Sequence, residues 1–128
     1  MTAADRGRPP VARGWATVDL DRALDDVARE LRASTSFEPA PRSEVLGARC
    51  LRGAATGGGG WIVLLEPDTE GRLTGFLARH GEGWAASWQE GDPGSAATAG
   101  PLGPEAIEPG GPREGPFRLR VAPATIER

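Results

Sequence analysis

The residues of this chain that could do chemistry are few, and most stand alone. There is one cysteine, Cys50, and one histidine, His80, in 128 residues. A single thiol forms no internal disulfide, and neither residue has the CxxC or Cys/His spacing of a zinc site. Cys50 lies among apolar neighbours and reads as an inert buried thiol. His80 precedes Gly81 at the end of a helical pattern, where a cation favours the helix dipole. Asp25 and Asp26 fall on the solvent side of a helix, and neither Ser-His-Asp nor Cys-His logic can be assembled. The glycine run at 57–60 lacks a Lys-Ser/Thr partner and a following helix, so it is a loop and not a phosphate cradle. What remains are arginines and large aromatic residues, Arg49, Trp61, Trp84, Trp88 and Phe117 among them. A guanidinium can pair with a carboxylate, a phenolate or a carbonyl oxygen. Indole faces bury large area and stack on flat rings.

These side chains need a frame, and the length allows one domain with one core. The formal net charge is −3, which steers the chain toward neither nucleic acid nor an anionic membrane. All 15 basic residues are arginine, so arginines as such are a weak binding signal. The longest apolar run, 61–65, is far too short to span a bilayer. Residues 1–10 are polar and lack the apolar core of a signal peptide, which predicts a flexible, cytoplasmic start.

Periodicity supplies the elements. Residues 12–18 can make a first strand. Leu20, Ala23, Leu24, Val27, Ala28 and Leu31 form one helical stripe, capped by Asp19 with Asp21 in the first turn. Pro39 and Pro41 are expected to end regular structure over 37–42. Strands are expected at 45–52 and 61–66, joined as a hairpin by a long loop. A short helix follows to Arg79, burying Leu73, Phe76 and Leu77, and 84–89 is a further strand. Residues 91–116 hold seven Gly and six Pro, which cannot sustain a long helix. A short piece at 105–108 and a last strand over 117–122 complete the chain. No internal repeat is visible.

Leu64-Leu65-Glu66-Pro67, then Phe76-Leu77-Ala78-Arg79-His80-Gly81-Glu82-Gly83, resembles methylmalonyl-CoA epimerases and other vicinal-oxygen-chelate proteins (the glyoxalase and bleomycin-resistance superfamily). Asp19-Leu20-Asp21-Arg22-Ala23 resembles the start of their first helix. The resemblance covers residues 11–90 and implies an α+β fold. It predicts βαβββ modules forming a cupped mixed sheet, with helices on the convex side. The first module is 11–83, and a shortened second module is 84–128 with a Gly/Pro-rich loop at 91–116. In that superfamily four side chains on the concave face bind a divalent metal. The matching positions are Ala12, Val63, Ala86 and Leu119, and none is a metal ligand. The chain is therefore identified as a degenerate member, with no metal and no cofactor expected.

If Val63, Ala86 and Leu119 point into the cup, strand alternation sends Trp61, Leu65, Trp84, Trp88 and Phe117 there too. Leu46, Ala48 and Cys50 are then assigned to the helix side. Val45, Gly47, Arg49 and Leu51 go to the cup, and Trp15 to the helix side. The expected site is an aromatic cup of Trp61, Val63, Leu65, Trp84, Ala86, Trp88, Phe117 and Leu119, with Arg49 stabilising an oxyanion. Simple core packing of the three tryptophans is the competing reading.

Two functions follow from the resemblance. One is a metal-independent cyclase, isomerase or lyase acting on an aromatic or polyketide-like secondary metabolite, the cup holding a reactive conformer. The other is a resistance-type protein that sequesters a drug or metabolite without turnover. Either way the partner is a small hydrophobic ligand. An open sheet edge and an exposed concave face predict a homodimer.

Overall fold

The computed structural model describes residues 10–31, 36–55 and 60–122. The expected flexible start and the turn at 57–60 lie, but for Pro10 and Gly60, outside the described residues.

Seven strands and two helices make one curled mixed sheet. In chain order they are β1 (Ala12–Ala16), α1 (Leu20–Leu31), β2 (Glu38–Ser43), β3 (Ala48–Ala54), β4 (Trp61–Pro67), α2 (Arg72–His80), β5 (Gly83–Glu90), β6 (Glu105–Ile107) and β7 (Phe117–Val121). The strand order is β2-β3-β4-β1-β5-β7-β6. It reads as two half-sheets joined along the antiparallel pair β1·β5. In the first, β1 runs parallel to β4; in the second, β5 runs parallel to β7 in the same relation. The second half lacks a counterpart of α1, because residues 91–104 contain no helix.

The helix stripe behaves as its spacing requires. Ala23 and Val27 of α1 are fully buried against Ile62 and Leu64, with Trp15, Leu51 and Trp84 packed around them on the outer face of the sheet. Asp19 caps α1, its Oδ1 accepting from the Arg22 amide at 3.2 Å. Glu82 fixes the entry to α1 from 64 residues away. It accepts from the Val18 amide at 2.9 Å and the Thr17 hydroxyl at 3.0 Å, and it pairs with Arg22. Leu73 and Phe76 of α2 join a different cluster, on the inner face, where Phe76 meets Phe117 at 6.1 Å between ring centroids.

Residues 38–43, where prolines were expected to end regular structure, form edge strand β2. Pro39 and Ala40 stand opposite Leu51 and Cys50. An edge strand bonds on one side only, so a residue without an amide hydrogen can face away from the ladder. The opposite edge, β6, curls round to meet β2. The Ser43 hydroxyl donates to Glu105 at 2.6 Å, and the Glu44 amide donates to the Ala99 carbonyl at 3.1 Å. The sheet is a half-barrel with its two edges tied across a seam.

Candidate functional site

The inner face carries most of the positions picked out from the sequence, packed together in its centre. Ala12, Val63, Leu65, Ala86, Trp88, Phe117 and Leu119 all lie in one buried cluster with Ala48 and Cys50. Trp88, the largest of them, is 0 % exposed. Its ring lies on the backbone of β1: a Cβ added to Gly14 would stand 2.9 Å from Trp88 Cζ3 and 2.8 Å from Leu65 Cδ1. Small residues on β1, β3 and β5 leave room for the indole, which fills the hollow that they create.

Two expected members of the cup stand on the other face. Trp84 packs on Trp15 edge-to-face, with centroids 5.1 Å apart, in the cluster under α1. The cause is a β-bulge: Gly14 pairs with Ala86 and Trp15 with Trp84, so Ala85 is an extra residue that reverses the alternation. Arg49 is also on the outer face, ion-paired with Glu66. Opposed residues in an antiparallel pair share a face. Arg49 stands opposite Glu66, Cys50 opposite Leu65 and Leu51 opposite Leu64. The assignment of β3 is therefore reversed: Ala48 and Cys50, with Leu46 of the preceding turn, are inside, and Arg49 and Leu51 outside, while Val45 packs on the inner cluster as expected. Trp61 lies on the inner side but at its rim, 38 % exposed, with the Arg52 guanidinium 5.4 Å from its ring centroid. The three tryptophans do not share one cavity.

Three residues that sequence reasoning passed over organise the interior. Glu105 is 0 % exposed, with Oε1 accepting from Trp88 Nε1 at 2.7 Å and Oε2 from Ser43 Oγ at 2.6 Å. Burial pushes the Glu105 carboxyl above its ordinary range, and the bonds from Ser43 and Trp88 offset only part of that. Arg52, opposite Val63 on β3, donates from Nη1 to the Pro101 carbonyl at 2.7 Å. Segment 91–104 is thereby drawn over the seam. Gly100 is buried against Glu105 so closely that a Cβ there would overlap the carboxylate. The available signal was the alternation of Glu105 and Ile107, which puts the glutamate on the face of an apolar residue.

No family model matches the chain, and no curated protein matches it. Solved structures do. A methylmalonyl-CoA epimerase from Mycobacterium tuberculosis superposes with a TM-score of 0.69 at 20 % identity, covering 91 % of this chain and 88 % of that one. A Streptomyces coelicolor methylmalonyl-CoA epimerase variant in complex with 2-nitronate-propionyl-CoA gives 0.65 at 18 %, covering 91 % and 97 %. A hypothetical protein from Bacillus halodurans gives 0.59 at 16 %, covering 89 % and 93 %. The fold is that of the vicinal-oxygen-chelate proteins. At these identities the likeness concerns architecture, and the chemistry has to be read from this chain's own side chains.

The positions that the sequence resemblance picked out can be tested for their donor chemistry. Ala12, Val63, Ala86 and Leu119 offer methyl, isopropyl and isobutyl groups, which donate no electron pair to a hard cation. Glu105, the buried charged side chain among the described residues, has both oxygens engaged by Trp88 and Ser43. These residues do not fit a divalent metal. Two solvent-accessible grooves among the described residues lie outside the interior. One of about 460 Å³ is lined by Asp19, Asp21, Arg49, Leu51 and Glu66 beside the start of α1. Another, of about 550 Å³, lies between Arg72 and the loop joining β6 to β7.

Proposed function

We propose that this chain is a metal-independent small-molecule-binding protein on the vicinal-oxygen-chelate fold, and that it sequesters its ligand without epimerase-type turnover. The observation that carries this is the occupied interior. Trp88, Leu65 and Glu105 fill the space over Gly14 and Gly100 that a substrate or an ion would need. Arg49, the group that would have stabilised an oxyanion from within, is paired with Glu66 on the outer face. Among the described inner residues a flat aromatic ligand therefore finds no slot, and binding falls to the outer grooves. The catalytic alternative rests on Glu105, a carboxyl group beneath segment 91–104 whose pKa burial raises. It requires that segment to lift.

Two measurements test the reading. Protein exposed to zinc, nickel or cobalt and then dialysed should retain well below one ion per chain. One tightly held ion would overturn metal independence. Deuterium exchange at the α-carbon of methylmalonyl-CoA, the compound class of the structural neighbours, should run at the uncatalysed rate. Acceleration abolished by Glu105→Gln would establish the catalytic alternative. We extend the reading to a homodimer on the strength of Val18 and Trp61, two large apolar side chains left exposed. A monomer in sedimentation equilibrium at micromolar concentration would remove that part. Among the described residues no helix is long and apolar enough to cross a membrane.

A further inference from the structure

Eleven arginines lie in the described residues, and seven stand within 4.0 Å of a described carboxylate. Of the other four, Arg13 lies over the Trp84 ring at 4.3 Å. The remaining three, Arg72, Arg113 and Arg118, line a single groove of about 550 Å³. They come from separate parts of the chain: the first turn of α2, the β6–β7 loop and β7. Arg72 makes one long bond, from Nη1 to the Val45 carbonyl at 3.3 Å. The groove holds one carboxylate, Glu108, whose nearest cation is Arg120 at 3.9 Å.

In a chain of net charge −3, gathering three unpaired guanidinium groups is unfavourable by itself. It becomes favourable when an anion completes the set. Each guanidinium presents a planar fork of N–H donors that matches the paired oxygens of a carboxylate or phosphoryl group. The volume falls in the range of small-molecule sites, and Ile107 with Pro109 and Pro112 supplies apolar wall. We propose that this groove binds a compact oxyanion carrying two or more negative charges. The proposal rests on the binding-protein reading above and names the ligand class for it.

Pyrophosphate and citrate, titrated separately into the full chain by calorimetry, distinguish the two sources of that chemistry. At least one should give saturable 1:1 binding that weakens as salt rises. Tighter pyrophosphate binding assigns a phosphoryl ligand, and tighter citrate binding a polycarboxylate. Arg113→Gln and Arg118→Gln should each weaken binding by about tenfold or more, each removing a charge-assisted bond. Glu108→Gln should tighten binding, a change of sign that loss of structure would not produce. Arg13→Gln, which removes the unpaired arginine outside the groove, should leave binding unchanged. All four side chains are at least partly exposed, and circular dichroism verifies that the variants fold. Absence of saturable binding by either anion overturns the proposal, as does an Arg13→Gln loss equal to that of Arg118→Gln. Retained metal or accelerated deuterium exchange beside intact anion binding would instead sink the functional reading and leave the groove standing.

Discussion

Cys50 shows how burial decides chemistry at a single residue. It lies opposite Leu65 inside the sheet, and burial pushes its thiol up to about 12. At about pH 8 the thiolate, the reactive form, is then roughly one part in ten thousand. Native protein should accordingly resist a disulfide reagent such as dithiobis(nitrobenzoate). Unfolding in guanidinium should release one reactive thiol per chain within seconds. Rapid labelling of the native protein would show that β3 opens readily or that Cys50 is misplaced. The reading of Cys50 as inert was available from its apolar neighbours, whereas the role of Glu105 was not. Nothing in one dimension connects Glu105 to Ser43, 62 residues earlier, or to the indole of Trp88.

At the scale of the element, what could be read from the chain depended on whether a local rule held without exception. The α1 stripe did, and so did the alternation of β4 and β7, because those elements are regular, although β4 is buried on both faces. In β5 a single extra residue, Ala85, turned Trp84 from the inner face to the outer one. Alternation counts residues and cannot see a bulge. In β3 both faces hold apolar side chains, so size alone could not orient the strand. Its register against β4 does. Segment 91–104 carries the largest gap between sequence and structure. Its glycines and prolines exclude a helix, as expected, but they also let the chain lie flat across the seam with Gly100 against Glu105. Gly100→Ala should therefore cost about 1–3 kcal/mol through overpacking, and more if the carboxylate loses a partner. Urea unfolding measures it. A variant as stable as the parent would mean that the segment does not hold the interior closed.

For the whole molecule, the seam sets a pH dependence that differs in sign from that of the surface ion pairs. Asp68 and Glu82 are held below their ordinary values. For Asp68 the first cause is the bond from Arg42, and for Glu82 the bond from the Val18 amide. Their contributions are present above the unfolded values of 3.8 and 4.5 and are lost as pH falls through the folded ones. Both groups are partly exposed and their ion pairs lie at the surface, so this acid limb should be shallow. Glu105 acts the other way. Its folded pKa is raised above 4.5, so the folded state binds the proton more tightly than the unfolded chain. That stabilisation is complete below 4.5 and disappears as pH rises through the folded value. Past that point a carboxylate ionises between β2 and β6, and the closure that keeps segment 91–104 over the interior weakens with it. Urea midpoints measured from about pH 3 to about pH 8 should rise on the acid side and then decline. Glu105→Gln keeps the shape of the side chain and cannot ionise, so it should abolish the decline while leaving the acid limb in place. If that variant loses stability with rising pH as steeply as the parent, the two edges are not held together through a protonated Glu105.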